Sequence, residues 1–398
     1  MHNNNHGYLL YKKRPIVLKR KKKPLLADED LCTVVCNNDH TLTEISRFKI
    51  PCCDALIVGF CNGIFCLTTE YDGPPNRFRK NSGYLSEFRQ NGIIYLWNPS
   101  IRKFKKLLAT NFNNHSLKVA VGLAYHSQNN DFKVLRIVRF MERRPAHAEV
   151  YTLSTDSWRK VGLSVESLNG SGSIGCIDYI DASSPSLFFN GALHSIAYVK
   201  EHQFILAFDV DDEKFREIRL PEEYKGGFSM NIERIERLAV FKGSLALISY
   251  NLVGFAQAFN IWVMRDYGVV ESWTKKVVKL ENVTGFFGCS SSGELMITEY
   301  YDPVLTFSFD PESRKENELG FEVPEAYTAN FMESLVLLNG GLAITNEQGG
   351  HFLKFILTGQ LLYLVKLFGS FHIYVFCGSV KAVIAMFSFL LLYRTKSL

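Results

Sequence analysis

Four segments of the chain repeat one pattern of apolar and polar positions. In each, an apolar strand leads into a turn rich in Asn, Asp, Ser or Pro, and an aromatic residue, polar residues and an aliphatic residue follow. The segments are Leu96–Leu107, Leu153–Val161, Phe208–Ile218 and Met264–Val277. Their aromatic residues, 54, 57 and 58 positions apart, are Phe104, Trp158, Phe215 and Trp273. A period near 50 residues is typical of radially repeated all-β folds with one blade per repeat.

A hairpin with a small-residue turn precedes each of these segments. The first copy, Ala55–Leu67, turns at Asn62 and Gly63, and another copy turns at Asn190 and Gly191. The later copies are Val119–Tyr125 with Phe132–Ile137, Leu187–Ile196, Leu238–Leu247 and Gly288–Ile297. Glycine at such a turn permits positive φ and lets blades approach a common axis. Two hairpins per repeat predict a four-stranded blade, whose aromatic residue is expected to pack against the neighbouring blade.

The repeats predict an all-β fold, a kelch-like β-propeller of about six four-stranded blades over residues 28–340. Five blades can be counted directly, the fifth through Val304–Ser313, which has lost its aromatic residue. A sixth is expected to combine Glu333–Gly340 with the hairpin at 31–48. Closing the ring with strands from both ends of the domain would protect edge strands that are otherwise exposed.

The two ends of the chain differ from the repeats. Residues 1–27 are polar and basic and predict a linker, in which Lys19–Lys23 is either a nuclear-import or acidic-surface patch or a solvated run. Residues 341–398 form an apolar tail. Within it, 371–393 is long enough for a membrane span of about 20 residues, but Lys381 would cost roughly 3 kcal/mol there. A membrane anchor, strands packed on the propeller and a misjoined exon therefore all remain open.

Composition and charge narrow the class of partner. The hydrophobic share of 47% is ample for a core, and the net charge of +5 is too modest and scattered to predict nucleic-acid binding. The nine cysteines include no Cys-x-x-Cys pair, which argues against structural zinc. Their odd number and the lack of a cleavable N-terminal signal favour a reducing compartment, the cytoplasm or the nucleus. Recognition is expected in the two long polar loops, Glu70–Gln90 and Ser164–Ser186.

The motifs that resemble cofactor, metal or catalytic sites lack the structural context that such sites require. Gly170–Gly175 matches a dinucleotide fingerprint, but no helix follows it. Asp209–Glu213 gathers four carboxylates without the spacing of a calcium loop, and it stands at the turn position of the repeat. The strand histidines have no paired nucleophile motif; they are His126, His147, His194 and His202. Packing is favoured over ligand stacking for the tryptophans, which are Trp97, Trp158, Trp262 and Trp273. The sequence predicts no catalytic residue, no cofactor and no metal site.

Several segments, taken in order, resemble a known family. Phe60–Leu67 is similar to that family's G-S-C-N-G-L-x-C-L segment, and Leu96–Phe104 is similar to its L-W-N-P-S-x-R-K signature. Val121–Tyr125 and Phe189–His194 follow in the same order. The chain is thereby identified as a member of the plant F-box/kelch-repeat family, through its F-box associated interaction domain. The motif residues, read as structural, are Asn62, Gly63, Trp97, Asn98, Pro99, Phe104, Trp158, Asn190, Gly191, Phe215 and Trp273; the substrate-binding residues are unknown.

The resemblance implies a substrate receptor of a Skp-cullin-F-box ubiquitin ligase. In that family an F-box docks on the Skp-type adaptor, and the propeller captures a protein substrate, so catalysis rests on proximity. The sequence starts in what looks like the linker after an F-box, so adaptor and cullin binding are expected only if an F-box is supplied. The apolar tail is foreign to the family. The alternatives are a tail-anchored membrane scaffold and, in a third class, a copper-containing kelch-type oxidase.

Overall fold

The computed structural model describes the backbone of most of the repeated region and parts of both ends. The described residues are 7–12, 31–38, 41–50, 55–69, 93–107, 117–140, 146–167, 173–174, 177, 179–181, 185–199, 202–224, 234–251, 256–281, 283–299, 305–319, 330–331, 334–338, 342–343, 352–357, 360–367 and 370–375. They divide into two compact units, 1–343 and 344–398.

The larger unit is a β-propeller, and its described residues form five blades that follow one another along the chain. Blade 1 has the strands Ala55–Cys61, Ile64–Thr69, Ile94–Asn98 and Lys103–Leu107. Blade 2 has Leu117–His126, Asp131–Phe140, His147–Thr152 and Ser157–Val161. Blade 3 has Leu187–Phe189, Ala192–Val199, His202–Asp209 and Phe215–Arg219. Blade 4 has Arg234–Phe241, Ser244–Asn251, Ala256–Met264 and Trp273–Glu281, with the 3-10 turn Val270–Ser272. Blade 5 has Val283–Cys289, Leu295–Glu299, Leu305–Phe309 and Glu316–Glu318.

Short strands extend two of the blades. Leu342–Ala343 pairs with the outermost strand of blade 1. Val165–Ser167 runs parallel to the outermost strand of blade 3 and pairs in turn with Ser173–Ile174. Tyr179–Ile180 pairs with the second strand of blade 3, in line with its inner strand. Parts of the loop predicted at 164–186 are therefore paired into blade 3.

The prediction of six blades is wrong by one, because the segment expected to complete the sixth is used elsewhere. Residues 334–338 form no strand and lie against blade 1. The N-terminal hairpin, Leu31–Asn38 with Thr41–Lys49, pairs instead with Gly7–Lys12, and that strand pairs with Asn330–Phe331. A strand thus lies inside the segment expected to be a linker.

The apolar tail contributes one sheet to the smaller unit. Its strands are Phe352–Leu357, Gln360–Leu367 and Ser370–Val375. The segment 371–393 lies outside the described residues beyond Val375. No helix in the described part of the chain has both the length and the apolar character needed to cross a membrane.

The hydrophobic core of the propeller lies between blades rather than within them. Each of four buried clusters combines side chains from two successive blades, from blades 1 and 2 through to blades 4 and 5. Ile64 of blade 1 and Leu123 of blade 2, for example, share the first cluster, and both are fully buried. A strand face becomes core only when the next blade covers it, so the blades stabilise one another.

Glycine lets the inner strands of the first two blades approach each other. A Cβ atom added to Gly59 would lie 2.9 Å from Leu123 Cβ and 3.0 Å from Leu123 N. Real Cβ atoms essentially never show the first distance, and the second is tighter than most Cβ contacts. The backbone nitrogen belongs to a paired strand and cannot easily move. The close approach at the axis therefore requires glycine at position 59.

We expect Gly59→Ala to destabilise the propeller by about 1–3 kcal/mol, the range of overpacked cores. Chemical denaturation monitored by tryptophan fluorescence would measure the loss. Gly162→Ala is the matched control, because an added Cβ there meets nothing within 4 Å. Equal stability of the two variants would contradict the packing argument.

Candidate interaction surface

Four of the sequence motif residues form two inner turns of the propeller. Asn62 and Gly63 have φ of 43° and 78°, and Asn190 and Gly191 have φ of 48° and 72°. Two successive positive φ values define the tight turn that matches the twist of a hairpin. Lys242 and Gly243 repeat this geometry in blade 4, with φ of 47° and 78°, so the turn recurs with a residue other than Asn.

The Trp-Asn-Pro motif lies at the outer turn of blade 1. The Trp97 side chain is 1% exposed, and its ring centroid lies 5.2 Å from that of Phe65. The Pro99 carbonyl accepts a hydrogen bond from the Arg102 amide at 3.1 Å. Arg102 has a φ of 52° and completes the turn. These contacts keep the motif within the scaffold.

Asn98 links blade 1 to the segment 334–338. Its Nδ2 donates to the carbonyl oxygens of Ser334 and Val336, both at 3.0 Å, and its Oδ1 accepts from the Ser100 amide at 3.0 Å. Leu338, 4% exposed, joins the apolar cluster of blades 1 and 2. Because Asn98 is fully buried, its hydrogen bonds are shielded from water and hold this late segment against the first blade.

The repeated aromatic residues differ in where they pack. Trp158, Phe215 and Trp273 lie in or against the clusters between blades 1 and 2, 2 and 3, and 3 and 4. The indole Nε1 of Trp273 also donates to the carbonyl of Arg219 in blade 3 at 3.0 Å. Phe104 departs from the pattern, since it is half-buried and its ring faces Tyr95 of its own blade.

Side chains at the outer turns satisfy the turn backbone. Asp209 Oδ1 accepts from the amides of Asp211 and Asp212 at 2.9 and 3.2 Å. Asp310 accepts equivalent bonds in blade 5, from Glu312 and Ser313. An Asx side chain that caps amides two and three positions onward stabilises a turn, which is the role expected for Asp209.

Other carboxylates of the same turns reach the preceding blade, which the sequence analysis missed. Asp156 of blade 2 pairs with the buried Lys105 of blade 1 at 2.9 Å. Glu213 of blade 3 pairs with Lys133 of blade 2 at 2.9 Å and with Arg159. Glu312 of blade 5 pairs with Lys242 and Lys276 of blade 4, at 3.4 and 2.7 Å. A comparison of the repeats could have revealed these pairs, because each acidic turn residue has a lysine or arginine in the preceding repeat.

Blade 4 replaces this ion pair with a tyrosine and a histidine. Tyr267, at its outer turn, lies 2.7 Å from Nε2 of His194 in blade 3, and Nδ1 of His194 lies 3.2 Å from the Leu187 carbonyl. Burial lowers the pKa of His194 to about 4, so the ring is neutral at pH 7. Since the carbonyl can only accept, Nδ1 carries the proton, and the Tyr267 hydroxyl donates to Nε2.

A buried carboxylate lies in the same interface. Glu236 of blade 4 accepts hydrogen bonds from Tyr198 at 3.1 Å and Gln203 at 2.5 Å in blade 3, and from Tyr224 at 2.5 Å. Burial and the charge of Glu236 raise the pKa of the Tyr224 hydroxyl. The phenols therefore remain protonated donors, and the network has a structural role.

The exposed apolar side chains concentrate on blade 4. Five large hydrophobic residues of the described chain are exposed, and three lie in the outer hairpin of blade 4: Tyr267 at 39%, Val269 at 45% and Val277 at 50%. Ser272 braces the turn: its single hydroxyl proton lies between the Val269 carbonyl at 2.7 Å and the Asp266 carbonyl at 3.0 Å, and its oxygen accepts from the Asp266 amide. We call Tyr267 and Val269 the blade 4 tip; they are the candidate anchors for a partner.

The remaining chemical candidates have structural partners or lie outside the described residues. His126 Nε2 contacts Asp211 at 3.1 Å, and His202 Nε2 contacts Glu217 at 2.7 Å. Among the described residues, no group of three His, Cys, Asp or Glu is placed to hold a metal ion. The predicted recognition loop Glu70–Gln90 lies outside the described residues, as does most of Gly170–Gly175.

A family model and the sequence relatives indicate one family. A model of the F-box associated beta propeller domain matches residues 68–338. In Arabidopsis thaliana, F-box protein At3g07870 is 28% identical over 245 residues, covering 55% of this chain and 50% of that protein. F-box/kelch-repeat protein At3g23880 is 24% identical, covering 58% and 54%, and F-box protein CPR1 is 25% identical, covering 67% and 68%. The chain thus spans about half the length of the first two relatives.

Among solved structures, TolB from Acinetobacter baumannii is similar over 81% of this chain and 65% of its own, with 11% identity and a TM-score of 0.44. This likeness supports no functional inference.

We expect Asn98→Asp to release segment 334–338 from blade 1 while leaving the outer turn closed. Aspartate retains the oxygen that accepts from Ser100 but loses both donors, at a cost of about 2–3 kcal/mol. Hydrogen exchange would show faster exchange in 334–338 and little change in 99–102. Asp310→Ala is the control, because it removes a turn cap in blade 5 only; the prediction fails if both variants expose 334–338 equally.

The ion pairs of Glu213 predict a dependence of stability on pH. Burial opposes ionisation of this carboxyl, but hydrogen bonds from Arg159 and Lys133 outweigh it, and the pKa of Glu213 is lowered. Its contribution is therefore present above the unfolded pKa of about 4.3 and is lost as pH falls through the lower folded value. We expect Glu213→Gln to be less stable than wild type at pH 7, with the difference shrinking towards pH 3 in thermal melts. A constant difference across this range would show that the charge of Glu213 contributes nothing.

Proposed function

The chain belongs to the F-box associated β-propeller family, and we propose that it captures a protein substrate for a Skp-cullin-F-box ubiquitin ligase. In this proposal the propeller holds the substrate, and an F-box provides the contact with the Skp-type adaptor and the cullin. The family match and the F-box proteins among its relatives support this assignment. The place of action would be the cytoplasm or the nucleus.

The blade 4 tip is the observation that favours protein recognition. Tyrosine is enriched among residues that dominate binding energy, and exposed aliphatic side chains beside it add apolar area. Tyr267 is held by His194, and the turn is held by Ser272, so little conformational entropy is lost on binding. A rigid apolar tip on a polar turn is suited to insertion into a partner's pocket.

Binding without catalysis is the second part of the proposal. The titratable groups that the repeat brings together are occupied by contacts between blades, as with Glu213 and Lys133 or Glu312 and Lys276. His194 is buried and donates to a backbone carbonyl. These charged groups thus stabilise contacts between blades. Ubiquitylation would depend on the proximity that the receptor creates.

The test uses the full chain in plant cells, joined to an F-box that supplies the adaptor contact and to a proximity-labelling enzyme. We expect labelling of a Skp-type adaptor, a cullin and a set of candidate substrates whose ubiquitylation falls when the chain is depleted. The double substitution Tyr267→Ser and Val269→Ser should reduce substrate labelling more than tenfold, since hot-spot truncations cost about 2 kcal/mol or more. It should leave adaptor labelling unchanged.

Asn129→Ser provides the matched control, since it alters an exposed inner-turn residue of blade 2. Unchanged substrate labelling by the Tyr267→Ser and Val269→Ser variant would exclude the blade 4 tip as the anchor. Labelling without adaptor, cullin or any change in ubiquitylation would overturn the ligase assignment.

A further inference from the structure

The outermost strand of blade 4 is a long sheet edge. Trp273–Glu281 has nine residues and pairs along its full length with Ala256–Met264. It ends the sheet, and among the described residues no strand pairs with its outer side. A sheet edge presents backbone donors and acceptors that another extended segment can use.

Two other blades show that this propeller accepts added strands at that position. Leu342–Ala343 adds a fifth strand to blade 1 through pairing with Lys103 and Phe104. Val165–Ser167 adds one to blade 3, in parallel with Phe215–Glu217. Both additions use the outermost strand, and the chain supplies both itself. Blade 4 offers the same kind of edge with a longer strand.

The side chains along this edge alternate between two environments. Val278 and Leu280 are buried in the cluster of blades 4 and 5. On the opposite face, Lys275, Val277 and Lys279 are all exposed, with Val277 at 50%. This exposed face of the strand therefore presents a cation, an aliphatic residue and a second cation at alternate positions.

We propose that this edge binds an extended segment of a partner protein as a fifth strand of blade 4. Directly opposite side chains in paired strands interact, and opposite charges and apolar pairs are favourable. The complementary segment carries an apolar residue between two acidic residues, at alternate positions. This site is separate from the blade 4 tip and needs no F-box, so it goes beyond the proposed function.

A second role for Lys275 and Lys279 is to prevent pairing at this edge, and the test must distinguish it from strand binding. Lysine on an exposed edge discourages pairing with other chains, and the Lys275 ammonium already lies 5.1 Å from the centroid of the Trp262 ring. If protection were the whole role, no extended peptide would bind in register, and any acidic chain would bind equally weakly through charge alone. Strand addition requires both the charges and the central apolar residue.

The probe is a fluorescein-labelled nine-residue peptide, Gly-Ser-Glu-Thr-Val-Thr-Glu-Ser-Gly, titrated by anisotropy against the full chain. We expect saturable binding that weakens at least tenfold when the peptide's Val is replaced by Thr. The charge reversal Lys275→Glu with Lys279→Glu should also weaken binding at least tenfold. It should restore binding of a peptide in which both Glu residues are Lys. Lys160→Glu, on the outermost strand of blade 2, is the matched control and should bind the original peptide like wild type.

Hydrogen exchange of the wild-type chain provides a readout that does not depend on the variants folding. Bound peptide should slow exchange within 273–281, because an added strand pairs with edge amides. Three results would overturn the proposal: no binding at millimolar peptide, equal binding of the Val and Thr peptides, or binding without protection of 273–281.

Discussion

The contact that the outer turns of blades 2 to 5 make with the preceding blade is the constraint on which the propeller depends. A four-stranded sheet has two faces, and here both faces of the inner blades become core only through their neighbours. Apolar burial supplies the area, but it is not directional. The ion pairs of Asp156, Glu213 and Glu312 add direction, because each joins a turn of one blade to a defined strand or turn of the blade before it.

In blade 4 the same contact positions a side chain that is partly exposed. The outer turns of blades 2, 3 and 5 contact the preceding blade through an ion pair. The outer turn of blade 4 is longer and makes this contact through the hydroxyl of Tyr267. The hydroxyl is fixed by a buried neutral histidine, while part of the ring stays exposed. The scaffold contact and the candidate anchor are therefore one side chain. A substitution that frees His194 would disturb both the interface of blades 3 and 4 and the position of the tip.

Two blades of the propeller are extended by strands from other parts of the chain. Blade 1 is extended by Leu342–Ala343, and Asn98 holds segment 334–338 against the same blade through two backbone carbonyls. Blade 3 is extended by residues that sequence analysis assigned to a recognition loop. Sheet edges are thus positions at which this propeller takes additional strands without altering the layers between blades.

The sequence by itself determined the period, the hairpins and the turn chemistry, because these depend on neighbours a few residues apart. Asn-Gly at inner turns and Asp at outer turns follow from local φ and from hydrogen bonds within the turn. The ordered motifs also identified the family. Five repeats were visible, but the partners of the terminal segments were not, since strand pairing between distant segments leaves little local signal. Only the tertiary structure decided that 334–338 lies on blade 1, that Glu213 joins blades 2 and 3, and that exposed apolar side chains gather on blade 4. Each of these depends on which residues meet across a blade interface, and that is set by packing in three dimensions.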